Sequence, residues 1–448
     1  MIMDVIQSIF EYILNLGAAV FVPAIMIIIG LIVRMKVKDA VNAGIILGVA
    51  FLGMNLVIGF MLEALTPAAQ ALADRTGLQL TAIDGGWTTA ASLSWAWPYA
   101  FLMFPIQIVI NGILLIINKT KTLNVDLWNV WGKIFTAVLI VGITGNIYIA
   151  FIGSAITIIL ELLFADLNQA QIEKLTNIPG VTVSHGMMIF GAFLLPIDWG
   201  LRRFKVFNRE MDANALKDKI GIFAENHVMG FIIGLLLGFA GGYSVAESLM
   251  LAMQAAAALT LFPITAKLFM QALAPLSEAI NEFMKKKFKD REIFIGLDWP
   301  ILAGSSEVWV VVTIMVPITL ILAFALPANA VLPFAGILNI GLAVPALIVT
   351  GGNLLRMLVL SIITTPVFLY ASTYFADIIT DLAESTKAVK IESGQVLTWS
   401  TIEYPDIRFI LTELGQFKVL GFVFTIAWVL AFILYRKEMK KRTLELKS

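Results

Sequence analysis

The sequence Gly296-Leu-Asp-Trp-Pro-Ile-Leu-Ala-Gly-Ser-Ser-Glu-Val-Trp309 places an aspartate, a proline and a glutamate at the entrance of an otherwise apolar segment. A stretch in the first half, Asp84-Gly-Gly-Trp-Thr-Thr-Ala-Ala-Ser-Leu-Ser-Trp-Ala-Trp97, has the same character. Each stretch is an apolar segment that begins with polar residues and is interrupted by glycine or proline. Such segments at corresponding places in two halves of a hydrophobic chain are typical of a binding site between internal repeats. The two stretches therefore predict a solute site between two similar halves.

Further matches at a nearly constant offset extend the similarity over most of both halves. The matching pairs include Trp87 with Trp299, Trp97 with Trp309, Gly30 with Gly238, Asn146 with Asn353 and Ser154 with Ser361. The segment 63–83 contains one basic residue, whereas its counterpart 271–292 contains five. Because basic loops stay on the cytoplasmic side, we expect these equivalent elements on opposite membrane faces, which makes the repeat inverted.

The composition indicates a polytopic helical membrane protein. Of the 448 residues, 59% are hydrophobic and only 14% are charged. Many windows of about 20 residues are nearly uncharged, which is the length that a helix needs to cross the hydrocarbon core. A closed β-barrel is disfavoured, because the apolar runs are continuous and do not alternate. The chain has no cysteine, which excludes disulfide bonds and thiolate chemistry within it.

The predicted fold class is an all-α polytopic membrane protein with about 11 transmembrane helices, inverted five-helix repeats, and broken or re-entrant helical segments. The first repeat covers 1–201, a hydrophilic cytoplasmic linker covers 202–219, and the second repeat covers 220–413. A final helix and a basic tail occupy 414–448. The basic turn Arg34-Met-Lys-Val-Lys38 after the first helix places the N-terminus outside, and the basic tail places the C-terminus in the cytoplasm. The sequence leaves open where the odd crossing lies within 333–413.

Three acidic residues, Asp84, Asp298 and Glu307, are candidates for a binding site. An aspartate at the depth of a helix centre costs about 2.5–3.5 kcal/mol, so these groups are expected to face a water-filled cavity or a polar ligand. Pro300 suits the first turn of a helix, and Asp298 would then lie near its N-cap. The alternatives are that both aspartates only cap helices at the membrane interface and that Glu307 has a surface role.

Aromatic and amide side chains complete the set of candidates. Trp87 and Trp299 either line the site, with a ring packed on the C–H side of a sugar or polyol, or belong to the interfacial belt. Thr88 directly follows Trp87 and is a candidate binding residue together with it. Asn146 and Asn353 follow glycines inside apolar runs, where an amide satisfies freed backbone groups or binds a ligand.

His185 opens a short apolar segment and is either a structural group or a ligand-binding group. Two histidines without a metal-ligand spacing predict no metal site. No Walker loop, Rossmann fingerprint or nucleophile elbow is present, which disfavours ATP-driven transport by this chain alone. We predict no cofactor and no catalytic residue. The broken segments contain few cations, which favours a neutral hydroxylated solute over an anion. A nucleic-acid partner is not expected.

Three motifs, Asp84-Gly-Gly-Trp87, Ser184-His-Gly186 and Gly296-Leu-Asp-Trp-Pro300, resemble the galactitol permease IIC component of the bacterial phosphotransferase system. That family is related to the ascorbate permease IIC component. The resemblance covers nearly the whole chain, and it implies that Asp298 and His185 bind the substrate.

The resemblance also implies an assembly and a transport cycle. It implies a homodimer in the bacterial inner membrane, with a dimer-forming domain and a mobile core domain that carries the solute by an elevator-like displacement. A phosphocysteine on a separate IIB subunit, supplied by IIA upstream, would phosphorylate the solute. The basic stretches 202–219 and 285–291 would either dock IIB or only set the topology. Gly186 stands where the ascorbate relatives are expected to have a polar residue, which favours a different solute.

The sequence thus leads to the hypothesis of a permease that translocates a hexitol, galactitol or a similar polyol, and is not itself an enzyme. The alternative is an ion-coupled secondary transporter of a polyol or sugar, in which Asp298 or Glu307 carries a proton. A membrane scaffold or receptor without transport is a third class, which the repeat and the intramembrane acids disfavour.

Overall fold

The computed structural model describes residues 18–32, 34–77, 80–124, 129–178, 180–211, 213–214, 221–287, 293–302, 305–389 and 394–447. Most of these residues are helical. The helices of the first half are α1 (Ala18–Ile32), α2 (Val37–Thr76), α3 (Gly86–Ala96), α4 (Met103–Ile116), α5 (Val130–Thr144), α6 (Ile147–Thr176) and α7 (Gly191–Leu201). Those of the second half are α8 (Asn226–Gly241), α9 (Val245–Lys287), α10 (Ser306–Ala325), α11 (Ile340–Thr350), α12 (Leu354–Tyr374), α13 (Ala376–Ser385), α14 (Pro405–Gly415) and α15 (Val419–Lys447).

Six helices in the described part of the chain are long and apolar enough to cross a membrane. They are Val37–Thr76, Ile147–Thr176, Val245–Phe262, Ser306–Ala325, Leu354–Tyr374 and Val419–Leu446. A seventh candidate is the pair Gly86–Ala96 and Ala100–Ile116, whose axes bend by 93°. Shorter apolar helices such as Val130–Thr144 and Ile340–Thr350 add to these. The chain is therefore a predominantly helical polytopic membrane protein, and the number of 11 crossings stays a prediction.

Helices α1, α2, α8 and α9 pack together through small residues. Gly230, Gly234 and Gly238 recur at every fourth position of α8, as expected for helices that approach closely in a membrane. A Cβ atom at Gly234 would lie 2.8 Å from the Cα atom of Ala252 in α9. The close contact between α8 and α9 thus depends on the absence of side chains along this face.

Within the residues that the structure describes, six short strands form two parallel three-stranded sheets that join the two halves of the chain. The strands are β1 (Ala82–Asp84), β2 (Thr122–Asn124), β3 (Val181–Val183), β4 (Phe294–Leu297), β5 (Val331–Leu332) and β6 (Val396–Thr398). One sheet has the order β5-β1-β6 and the other has the order β2-β4-β3. In each sheet the central strand comes from one half of the chain and both edge strands come from the other half. Backbone hydrogen bonds in two separate sheets therefore connect the two halves.

Helices α5 and α6 form a hairpin whose tip carries Asn146. Gly145 ends α5 with a φ of 66°, a left-handed conformation that glycine adopts without a steric penalty. The hydroxyl of Ser154 in α6 donates to the carbonyl of Lys133 in α5 at 2.9 Å, which holds the two helices side by side. The apolar run around Asn146 is therefore two packed helices.

A cluster of charged side chains fixes the C-terminal end of α11. The last carbonyls of a helix have no partner within the helix. Here arginine side chains supply the donors: Arg442 to Ile348 and Val349, Arg202 to Val349, and Arg356 to Thr350. Asp198 and Glu438 pair with these arginines at 2.6–3.1 Å. The cluster thereby ties α7, α11, α12 and α15 together.

Parts of two segments that were expected to dock a partner lie outside the described residues. In the linker 202–219, the structure describes a short 3₁₀ turn at Lys205–Asn208 but not 212 or 215–219. In the basic stretch 285–291, residues 288–291 lie outside the described part. The segment 1–17 of the first predicted crossing does so too.

Candidate functional site

A cavity of about 420 Å³ lies at the carboxyl ends of the strands. Each of the six strands is followed by residues that line this cavity. They are Trp87 and Thr88 after β1, Asn129 and Trp131 after β2, His185 after β3, Asp298 and Trp299 after β4, Gly336 after β5, and Trp399 and Glu403 after β6. Both halves of the chain therefore contribute to its wall.

The pairing of β3 with β4 brings His185 close to Asp298. Val183 is in register with Leu297, and the amide of Ser184 donates to the carbonyl of Leu297 at 3.1 Å. Because parallel strands end at the same edge, the residues that follow them emerge side by side. The Nε2 atom of His185 lies 3.7 Å from the Oδ1 atom of Asp298.

The imidazole of His185 is oriented by a backbone hydrogen bond. Its Nδ1 atom accepts the amide hydrogen of Met187 at 3.2 Å. An Nδ1 atom that accepts cannot also carry a proton, so in the neutral ring the proton is on Nε2. His185 therefore presents an N–H donor to the cavity.

Asp298 lies at the start of a helical turn, as Pro300 predicted. Its Oδ1 atom accepts the amide hydrogen of Trp299 at 2.6 Å, and a 3₁₀ turn runs from Trp299 to Leu302. The side chain of Asp298 is 29% exposed, so it is accessible from the cavity while it is held by the backbone.

Glu403 is a cavity residue that the sequence analysis missed. Its Oε1 atom lies 3.9 Å from the Nε2 atom of His185, and its side chain is 9% exposed. The residue precedes Tyr404 and Pro405, where α14 begins. The pattern of acid, aromatic residue and proline is the same in Glu403-Tyr-Pro405 as in Asp298-Trp-Pro300. That similarity was present in the sequence and could have identified the residue.

Tryptophan side chains form much of the cavity wall. They are Trp87, Trp131, Trp299, Trp309 and Trp399. The rings of Trp131 and Trp399 lie 5.6 Å apart at an angle of 49°. Their indole N–H groups donate to Asn129 and Thr401 within the wall, at 3.1 and 2.9 Å. These two rings therefore have fixed orientations, and their faces are suited to the C–H groups of a solute.

The structure places Asp84 behind the cavity wall. Its carboxylate is fully buried and accepts the amide hydrogens of Gly86, Phe334, Gly336 and Ser400 at 2.8–3.0 Å, and the hydroxyl of Ser400 at 2.5 Å. Five donors occupy the acceptor positions that a carboxylate offers. Asp84 thereby connects β1 to the segments that follow β5 and β6, and it is not among the residues that line the cavity.

Asn146, Asn353 and Glu307 also lie away from the cavity lining. The Oδ1 atom of Asn146 accepts the amide hydrogens at the start of α6, and that of Asn353 accepts the amide of Arg356 at 3.0 Å. Both amides therefore cap helices that begin after a break. Glu307 accepts the hydroxyl of Ser305 at 2.6 Å in the first turn of α10.

The cavity has an acidic lining, and buried cations lie behind it. Glu225, Asp298 and Glu403 line the cavity, whereas no lysine or arginine does so in the described part of the chain. Lys133 pairs with Glu161 at 2.5 Å, and both side chains are at most 2% exposed. Across the described residues, no three His, Asp or Glu side chains are arranged to hold a metal ion.

A helical membrane protein with a polar cavity enclosed by both halves of its chain has the architecture of a solute carrier. The chain belongs to the family of sugar-specific permease components of the phosphotransferase system (EIIC-GAT), whose family model matches residues 12–393. It is therefore a multi-pass protein of the inner membrane and a transport subunit.

Curated relatives support this assignment. The chain is 32% identical over 408 residues to the PTS system galactitol-specific EIIC component of Escherichia coli K12, which covers 89% of this chain and 90% of the relative. It is 30% identical over 450 aligned residues to a putative permease IIC component of the same organism, with coverage of 97% and 99%.

Proposed function

We propose that this chain translocates a hexitol, and galactitol in particular, for phosphorylation by a separate IIB subunit. The observation that carries the proposal is the cavity, where one imidazole N–H donor and two carboxylates face the same space between tryptophan rings. Galactitol is the substrate in the name of one relative. A linear polyol has hydroxyl groups that both donate and accept, and C–H groups that pack on aromatic faces, so it matches this lining.

Each cavity residue has a distinct role in the proposed complex. Asp298 and Glu403 accept hydrogen bonds from the polyol hydroxyls, and the Nε2–H group of His185 donates to one of them. Trp87 and Trp299 pack on the carbon chain, and Thr88 offers a further hydroxyl. Four further residues do not contact the polyol in this proposal but support the segments that form or surround the cavity: Asp84, Asn146, Glu307 and Asn353.

Phosphorylation comes after translocation in this proposal. A polyol hydroxyl attacks the phosphorus of the IIB phosphocysteine, the P–S bond breaks as the O–P bond forms, the cysteine leaves as a thiolate, and the hydroxyl proton passes to solvent. The chain has no cysteine, so the phosphoryl group comes from another subunit. The basic stretches 202–219 and 285–291 would attract that subunit electrostatically.

The arrangement of the sheets supports an inverted repeat with the boundaries 1–201 and 220–413. Strands β1, β2 and β3 have the same roles in one half as β4, β5 and β6 in the other, since each central strand pairs with two edge strands of the opposite half. We assign helices α1, α2, α8 and α9 to a dimer-forming domain and the cavity-bearing remainder to a core that moves as an elevator. The N-terminus would be outside and the C-terminus cytoplasmic.

Uptake of a radiolabelled polyol panel into membrane vesicles tests the proposed function. With IIB and phosphoenolpyruvate-driven phosphoryl transfer, galactitol should accumulate as its phosphate, and without IIB it should not. Accumulation of unmodified polyol driven by an ion gradient would instead establish the ion-coupled alternative. If no polyol binds or accumulates under either condition, the proposal is wrong.

A further inference from the structure

We infer that the cavity rejects the phosphorylated product of transport, and that Glu403 and Asp298 are the residues that cause this discrimination. The inference rests on the proposed function, because it concerns the release of a polyol after its phosphorylation at this site. It starts from the charge of the lining, which includes Glu225, Asp298 and Glu403 but no lysine or arginine among the described residues.

The positions of the two carboxylates make them sensitive to the chemical form of the solute. Their oxygens lie 3.7 and 3.9 Å from the Nε2 atom of His185, so one polyol segment can contact all three groups. A hydroxyl donates to a carboxylate, whereas the phosphate of a monoester, whose second pKa is about 6, offers only acceptors when fully ionised. Phosphorylation of a hydroxyl in this region therefore replaces a hydrogen bond with a repulsion.

The two carboxyl groups differ in burial, and therefore in how their charge is expressed. With 9% of its side chain exposed, Glu403 has little water around it, and this burial raises the pKa of its carboxyl to about 7, so its charge is fully present only above that pH. Asp298 is more exposed, at 29%, so its field is screened more strongly. Both carboxylates are consequently expected to contribute to the discrimination at pH 8, where the Glu403 carboxyl is mostly ionised.

The cations Lys133 and Arg408 do not line the cavity, although both lie close enough to Glu403 to act on its carboxyl electrostatically. Lys133 pairs with Glu161 at 2.5 Å. The guanidinium of Arg408 donates to the carbonyl of Gly132 and to the hydroxyl of Tyr404, and it lies over the ring of Trp399. A phosphate in the cavity would have no arginine or lysine in direct contact among the residues that the structure describes.

Rejection of the product gives the transport cycle a direction. A neutral polyol binds and is phosphorylated at the cytoplasmic side, and the resulting anion leaves without competing for the same cavity. Accumulated product would therefore inhibit uptake only weakly.

Binding to the purified full-length protein in nanodiscs without IIB tests the inference. Four ligands separate charge from bulk: galactitol, its terminal phosphate monoester, galactonate and a mono-O-methyl ether of galactitol. We expect the phosphate ester to bind at least about 100-fold more weakly than galactitol, because juxtaposed like charges are strongly disfavoured. Galactonate, which is small but anionic, should also be rejected, and the neutral ether should bind better than either anion.

Two variants test the assignment to residues. At pH 8, where the Glu403 carboxyl is mostly ionised, Glu403→Gln keeps an acceptor and removes the charge, so it should reduce the preference for galactitol over the phosphate ester at least about tenfold. Asp298→Asn should reduce this preference as well. The matched control is Glu247→Gln, because Glu247 is exposed at the start of α9 and bonds only Ser244 in the contacts of the described chain. The control should retain the preference of the wild-type protein.

The possible outcomes separate the inference from the proposed function. If galactitol binds and the phosphate ester binds within tenfold of it, the inference is wrong while the proposed function stands. The same holds if both variants fold and keep the wild-type preference. If the ether is rejected as strongly as the anions, bulk and not charge determines selectivity, and the inference again fails. If neither galactitol nor any other polyol binds, the proposed function fails and the inference fails with it.

Discussion

The Nε2 atom of His185 lies 3.7 Å from the Oδ1 atom of Asp298, although the two residues belong to different halves of the chain. This proximity results from the pairing of β3 with β4, since each residue comes directly after its strand or one residue later. The carboxylate and the imidazole therefore face the same part of the cavity.

We expect Asp298→Asn to weaken galactitol binding by about 10- to 100-fold, because a hydrogen bond to a charged group contributes about 1.5–3 kcal/mol. The amide of the variant still accepts one hydrogen bond from the backbone of Trp299, so the local turn should persist. Isothermal titration of the purified protein measures the effect, with Glu247→Gln as the control. An unchanged dissociation constant would remove Asp298 from the proposed site.

Asp84→Asn is expected to lower stability more than any exposed acid-to-amide change. Its carboxylate oxygens accept hydrogen bonds from the backbone amides of Phe334, Gly336 and Ser400. Whichever oxygen the NH₂ group of asparagine replaced, that NH₂ group would point at a backbone N–H, and both are donors. An unsatisfied buried donor or acceptor costs about 1–3 kcal/mol, and here several are affected. Thermal melting in detergent measures this loss. A variant with the wild-type melting temperature and a weakened affinity would instead indicate direct contact with the substrate.

The sequence predicted the membrane class and several cavity residues, because both depend on local patterns. Low charge over long apolar runs indicates crossings, and the Asp-Trp-Pro pattern at Asp298 indicates an acid at the start of a helix. The different positions of Asp84 and Asp298 could not be predicted in the same way. Both precede a helical segment, and only the distant partners of Asp84, such as Ser400, show that its carboxylate is saturated.

Glu403 was missed for a related reason. The repeated pattern of acid, aromatic residue and proline could have marked Glu403 as a candidate, but the segment from Ala376 to Gly415 is polar for a membrane crossing and no pattern in it indicates a position next to His185. In the structure it forms short helices and β6, and the parallel pairing of β6 with β1 brings its loop to the cavity. Strand pairs of two or three residues have almost no sequence signal, so the contacts that assemble the site were not predictable.

Asn146→Ala and Asn353→Ala are expected to affect helix starts and not solute binding. Each side chain caps a helix that comes after a left-handed glycine, and loss of such a cap costs about 1 kcal/mol. We expect a modest fall in melting temperature for each variant with an unchanged galactitol affinity. Replacement by aspartate, which also caps, should restore the stability. A large loss of affinity in a fully folded alanine variant would show that the amide contacts the solute.

The tryptophan wall predicts a graded response to truncation. Trp87→Phe and Trp299→Phe keep an aromatic face, so we expect them to bind galactitol within about fivefold of the wild type. The corresponding alanine variants lose that face and leave a void, and they should bind at least about tenfold more weakly. Quenching of intrinsic fluorescence or titration calorimetry measures these affinities. Equal affinity for the alanine and phenylalanine variants would contradict packing of these rings on the polyol.

The buried pair of Lys133 and Glu161 provides a test of how charge is accommodated beneath the cavity. Lys133→Met leaves the Glu161 carboxylate without its cation, and breaking a buried ion pair in this way costs about 3–5 kcal/mol. Glu161→Gln leaves the buried ammonium group of Lys133 without a negatively charged partner, although the new amide oxygen can still accept the hydrogen bond from Asn124. In the double variant both charges are absent, so the loss of stability should be clearly smaller than the sum of the two single losses. Unfolding of the four proteins in one double-mutant cycle measures the coupling, and strictly additive losses would show that the two charges do not stabilise each other.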